Sequence, residues 1–136
     1  MKNIALLTFI SASLLIFSCN KDDRSERFKL LTGPTWVTDS LLANGVDASV
    51  PGGVLEKFKG DAKFKEDGTG NFGKYTGEWR FNVEETQLTI TTDSMPLPII
   101  TNIKELTKIS LKVTTLVPNP LDQYNPFNIR MTFKAK

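Results

Sequence analysis

The stretch Ile129-Arg130-Met131-Thr132-Phe133-Lys134-Ala135-Lys136 decides the fold. Its apolar residues fall on odd positions and its charged or hydroxylated ones on even positions. That is the period of a β-strand with one dry face and one wet face. The same rule recurs towards the N-terminus. Ile109, Leu111 and Val113 alternate with Lys108, Ser110 and Lys112, and Leu88 and Ile90 with Thr89 and Thr91. Trp79, Phe81 and Val83 alternate with Glu78, Arg80 and Asn82. Phe58, Ala62 and Phe64 sit between Lys57, Lys59, Asp61, Lys63 and Lys65. A further strand is expected from near Trp36 to Leu41. Helical spacing is nearly absent, with at most one turn expected from Val54 to Phe58 after the Pro51-Gly52-Gly53 break.

Turn chemistry separates these segments. Asp67-Gly68 suits a tight hairpin, Thr76-Gly77 a turn, and Glu84-Glu85-Thr86-Gln87 a longer connection. Pro96 and Pro98 mark an edge or bend, and Pro118, Pro120 and Pro126 fix a loop before the last strand. About eight short antiparallel strands predict an all-β domain, either an up-and-down barrel or a sandwich. The single cysteine excludes the Cys-Trp-Cys spacing of immunoglobulin sandwiches, and a barrel removes the edges such strands would expose. The expected fold is one up-and-down antiparallel barrel of about eight strands.

The chain has 136 residues, enough for one domain, and 40% of them are hydrophobic, too many for a disordered tail. Lys plus Arg number 17 against 15 Asp plus Glu, so no global field attracts nucleic acid and none is expected as a partner. Histidine is absent, which removes Ser-His-Asp and Cys-His catalysis and every HExxH zinc site. Cys19 alone can form neither an intrachain disulfide nor a cysteine metal cluster. No enzyme chemistry, cofactor or metal is expected.

Met1-Lys2-Asn3 gives a positively charged start, and Ile4 to Phe17 follows without a charge. As a helix that run would span about 21 Å, short of a hydrocarbon core of about 30 Å, so it reads as an export signal. Its close, Ile16-Phe17-Ser18-Cys19, resembles the lipobox of bacterial lipoproteins. The resemblance implies a signal over residues 1–18 and diacylglyceryl attachment at Cys19, which becomes the first mature residue and ties the protein to a membrane through acyl chains. Two or more buried chains hold a protein stably where one is marginal. Asn20 differs from the Asp that retains lipoproteins at the inner membrane, and Lys21-Asp22-Asp23 looks like the surface-export signal of Bacteroidetes lipoproteins. An outer-membrane, lipid-anchored location is the expectation, with the domain either displayed on the cell surface or facing the periplasm. Residues 19–29 read as a polar tether and residues 30–136 as the barrel.

Leu30-Leu31-Thr32-Gly33-Pro34-Thr35-Trp36, then Phe64-Lys65-Glu66-Asp67-Gly68-Thr69-Gly70, then Gly77-Glu78-Trp79-Arg80-Phe81 follow one another along the domain. With Gln87-Leu88-Thr89-Ile90, Ile103-Lys104-Glu105-Leu106-Thr107 and the closing strand, that order resembles the lipocalin-like domains of Bacteroidetes lipoproteins. The resemblance spans about Leu30 to Phe133 and implies a barrel that carries a small hydrophobic ligand.

Gly68-Thr69-Gly70-Asn71-Phe72-Gly73 spells the dinucleotide fingerprint, but a turn and another strand follow it instead of a helix, so hairpin and bend glycines are expected. Glu66-Asp67 and Glu84-Glu85 are neighbours that a strand would point to opposite faces, and Asp22-Asp23 lies in the tether; all read as solvated charge. The basic row Lys57, Lys59, Lys63 and Lys65 reads as an outward face. Tyr75, Tyr124 and Phe127 are expected in turns or loops, where aromatics stack on sugars or close a barrel end. The inward set, and hence the expected ligand lining, is Trp36, Phe64, Trp79, Phe81, Ile90, Ile109, Leu111, Met131 and Phe133. An eight-stranded barrel is just wide enough to be filled by side chains or to hold one small ligand, so both outcomes stay open. The expected function is a monomeric, lipid-anchored envelope barrel binding a small apolar or amphipathic ligand. The alternative is an envelope interaction module with a filled core, contacting protein or glycan through loops such as 118–127.

Overall fold

In the computed structural model, residues 23–136 are described, so Cys19 and the lipobox lie outside them. A short helix α1 (Glu26–Thr32) precedes β1 (Trp36–Ala43), β2 (Val46–Asp47), β3 (Asp61–Phe64), β4 (Thr69–Phe72) and β5 (Tyr75–Phe81). There follow β6 (Gln87–Thr92), β7 (Ile99–Leu106), β8 (Ser110–Val117) and β9 (Phe127–Ala135). Every pairing is antiparallel, running β1-β3-β4-β5-β6-β7-β8-β9, and β9 returns to β1 from Trp36↔Ala135 to Ala43↔Ile129. The result is a closed up-and-down barrel of eight strands, as the alternation predicted. The extra strand, β2, is a two-residue ribbon folded onto β1 through Asn44-Gly45, whose φ values of 50° and 80° are those of a primed hairpin turn.

Alternation sorts the side chains. Phe64, Trp79, Leu88, Ile90, Leu111, Val113, Ile129, Met131 and Phe133 are buried, and Trp36 is fully so. Phe72, Phe64, Trp79 and Phe81 form an edge-to-face chain with centroids 5.2, 5.6 and 5.5 Å apart, the geometry that aromatic quadrupoles favour. Ile109 departs from the expectation. It is 73% exposed, because β8 begins only at Ser110 and Ile109 sits in a turn organised by the Thr107 hydroxyl, which accepts from the Ile109 and Ser110 amides. Thr76-Gly77 is likewise no turn but lies inside β5, and the reversal falls at Gly73-Lys74. Gly70 and Gly77 face each other across β4 and β5. A Cβ on Gly70 would lie 2.7 Å from the Lys63 carbonyl oxygen, and one on Gly77 1.9 Å from that of Thr91, so this corner bends only because both lack side chains.

Up-and-down order sends the β3–β4, β5–β6 and β7–β8 turns to one end and the remaining connections to the other. Helix α1 closes the first end, although residues up to Lys29 were expected as tether. The Ser25 hydroxyl accepts from the Phe28 amide at 3.0 Å as its N-cap, and Gly33 then Pro34 terminate it. Phe28 packs on Trp79 at 5.7 Å, Leu31 is fully buried, and the Trp36 indole donates to the Leu31 carbonyl at 3.0 Å. Lys63 donates to the carbonyls of Thr32, Gly33 and Pro34 at 2.7, 3.0 and 3.0 Å, so one member of the expected outward basic row instead satisfies the helix C-terminus. Arg27 donates to the Glu85 carbonyl at 2.9 Å, Ser25 to the Glu85 carboxylate at 2.8 Å, and Arg24 pairs with Glu66. Two of the adjacent carboxylates thus hold the plug in place.

Candidate functional site

The end opposite α1 is open and apolar. A groove of about 440 Å³ occupies it, a volume within the range of small-molecule sites. The β1–β3 connection supplies Val54, Leu55 and Phe58, the β6–β7 loop supplies Met95 to Pro98, and Ile129 and Met131 lie at its inner limit. A single helical turn at Glu56–Phe58, where one was expected, turns Phe58 inward against Tyr75 at 4.8 Å. Among the described residues no charged one lines the groove; Tyr75 and Thr115 are its polar members.

The groove also extends onto the flank of the barrel. The ladder between β7 and β8 ends at Asn102↔Thr114. Beyond it the Thr115 hydroxyl donates to the Ile100 carbonyl at 2.6 Å, while β8 continues paired only to β9. Ile100 and Leu116, exposed by 53% and 66%, line the groove from the outer surface of the two parted strands. The lining therefore runs from the barrel interior over the rim.

The interior itself is filled. Its void measures only about 20 Å³, roughly the room for one water, and is lined by Phe64, Ile90, Leu111, Met131 and Phe133 among others. Of the nine residues expected to line a ligand site, Met131 alone touches the open groove. Trp36 and Trp79 pack in the core with Phe64 and Leu111, Phe81 is half-buried against it, and Ile109 is outside it. Tyr75 and Phe127, expected in turns, begin β5 and β9, whereas Tyr124 does lie in the 118–126 loop, 84% exposed. The residues that sequence reasoning missed are those of Met95-Pro96-Leu97-Pro98-Ile99-Ile100. Their signal was an uncharged apolar run from a loop into the start of β7, in which Leu97 and Ile100 are 72% and 53% exposed and so are not accounted for by core burial.

The other candidates resolve structurally. Gly68 and Gly73 sit at the turns flanking β4. Asp67 accepts from the Thr69 amide and hydroxyl at 2.9 and 2.6 Å, and these bonds hold its carboxyl below the usual value. Among the described residues no group of three or more His, Cys, Asp or Glu side chains is placed to hold a metal, and no helix is long and apolar enough to cross a membrane.

Fold and groove together define a small closed antiparallel barrel with one end plugged by a helix and the other end apolar and open. No protein-family model matches the chain, and no curated protein matches it.

Proposed function

We propose that this chain is a lipid-anchored envelope barrel of the lipocalin-like lipoprotein kind, without enzymatic activity, that holds a small apolar or amphipathic ligand in its open end. The uncharged groove of about 440 Å³ carries the reading. A monomeric domain gains nothing in stability by leaving Leu97 and Val54 72% and 55% exposed around a concave surface, whereas a ligand that covers them gains the apolar area. The ligand seat is the loop-built end, not the filled interior.

The environment-sensitive dye N-phenyl-1-naphthylamine tests this. Binding is expected at micromolar strength, about −8 kcal/mol. Leu97→Asp should weaken it at least tenfold and leave the unfolding midpoint unchanged, since that side chain is outside the core. A parent protein that does not bind the dye would overturn the ligand reading. The alternative of a contact module for protein or glycan draws on the filled interior and on Leu121 and Tyr124, exposed by 94% and 84% on the 118–126 loop, and would then stand.

The anchor belongs to the same proposal and rests on the lipobox resemblance. Cys19→Ala should release the protein from the membrane fraction with its barrel intact, as read by fractionation and by circular dichroism. An intact mass lacking acyl groups, or a mature N-terminus other than Cys19, would refute it.

A further inference from the structure

Outside the barrel, beside the open end, lies a second depression of about 420 Å³ with the opposite chemistry. Lys104, Lys112 and Arg130 converge on it from three adjacent strands, with Asn44 and Asn128 at one side. Arg130 lies directly across from Thr114 on β8, and Lys104 is the extra residue of a β7 bulge between the pairs Ile103↔Val113 and Glu105↔Lys112. Lys112 is paired with Glu105 at 3.3 Å. Glu105 also accepts from the Ser110 hydroxyl, the main reason its carboxyl titrates below the usual value, so it is committed. Neither Lys104 nor Arg130 has an ion pair or a side-chain hydrogen bond among the described residues. The depression carries surplus positive charge.

The two depressions abut. Leu116, which lines the apolar groove, is the cross-strand partner of Asn128, which lines the basic one, and such pairs stand about 5 Å apart. One two-residue repeat further along the ladder, about 7 Å, is the Thr114–Arg130 pair. A path therefore leads from the groove, over the exposed Leu116 on β8, to Arg130 and Lys104. Charge cannot end inside the groove, because an ion buried there without a partner is strongly disfavoured. It can end on the basic surface, where a guanidinium binds phosphate or carboxylate oxygens in pairs.

We infer that the ligand is an anionic amphiphile lying across the barrel rim, its hydrocarbon tail in the open-end groove and its anionic head on Lys104, Lys112 and Arg130. This rests on the proposed ligand-binding function and adds the head-group chemistry and the direction in which the ligand leaves the groove. The ligand is thus only half enclosed, and the flank of the barrel is part of its site.

The test compares three probes with one acyl chain in common, each below its critical micelle concentration, on the full-length mature protein. Lysophosphatidylglycerol should bind at least tenfold tighter than either lysophosphatidylcholine or monoacylglycerol. The double variant Lys104→Gln/Arg130→Gln should bind all three within about twofold of one another, with monoacylglycerol affinity and melting temperature unchanged. High salt should erase the parent's preference in the same way. Equal affinities in the parent, or a preference that survives in the double variant, would overturn the head-group assignment while the groove still bound monoacylglycerol. A preference lost instead with Lys57→Gln/Lys74→Gln would place the head on the other side of the mouth and overturn it too. Failure of all three probes to bind would remove the ligand-binding function itself.

Discussion

Leu111→Asp is expected to leave the protein unfolded, whereas Ile109→Asp, two residues earlier and in the same phase, should change stability by no more than about 0.5 kcal/mol. Leu111 is 1% exposed, paired with Phe133 on β9 and Leu106 on β7, and among the described residues the buried core holds no cation. An unpaired carboxylate there costs several kcal/mol against a total stability of about 5–15 kcal/mol. Ile109 stands in water and an aspartate in its place would remain hydrated. Far-UV circular dichroism and urea titration distinguish the two. A folded Leu111→Asp protein would mean that β8 presents its other face to the core, since a one-residue slip exchanges every side chain between faces.

Trp36→Ala should cost about 3–5 kcal/mol, enough to bring a domain of this size close to its unfolding threshold. The indole is fully buried between two small neighbours, Ala62 on β3 and Ala135 on β9, which leave the space it fills. Its N–H also occupies the Leu31 carbonyl in the last turn of α1. Truncation opens a cavity among three elements and takes a partner from the plug at once. Trp36→Phe keeps much of the volume and should fall between, because the Leu31 carbonyl still loses its donor. Urea midpoints at constant slope measure both. A loss under 1 kcal/mol for Trp36→Ala would show that α1 and β1 are not joined through this residue.

The two residues illustrate what was legible. Alternation assigns a face wherever a strand exists, and it located Trp36, Leu111 and the closing strand. It does not say where a strand stops. Ile109 and Val83 keep the phase of their neighbours but belong to turns, and Val83 is 96% exposed where Asn82 has already turned the chain by accepting from the Thr86 and Gln87 amides. The seven-residue α1 is too short to show a period, and its first turn reads as part of a polar tether. The open end was illegible for another reason. An inward strand position looks the same in a packed core as in a lined pocket, and the rest of the lining comes from connections such as 54–58 and 95–98, which have no periodicity to read.

The seam between β1 and β9 has a kinetic consequence. β3 meets β1 at only two positions, Trp36↔Ala62 and Val37↔Asp61, while β9 is registered along nearly the whole of it. Those contacts join residues roughly ninety positions apart, so the loop entropy of closure is lost before they form, and a barrel closed this way folds more slowly than its local hairpins. The hairpins from β3 to β6 pair neighbours in sequence, whereas β1 has only the two-residue β2 and two positions of β3 beside it until the nine-residue β9 is in place. A chain stopped before Phe127 therefore lacks the strand that turns a sheet into a barrel, and closure waits on β9.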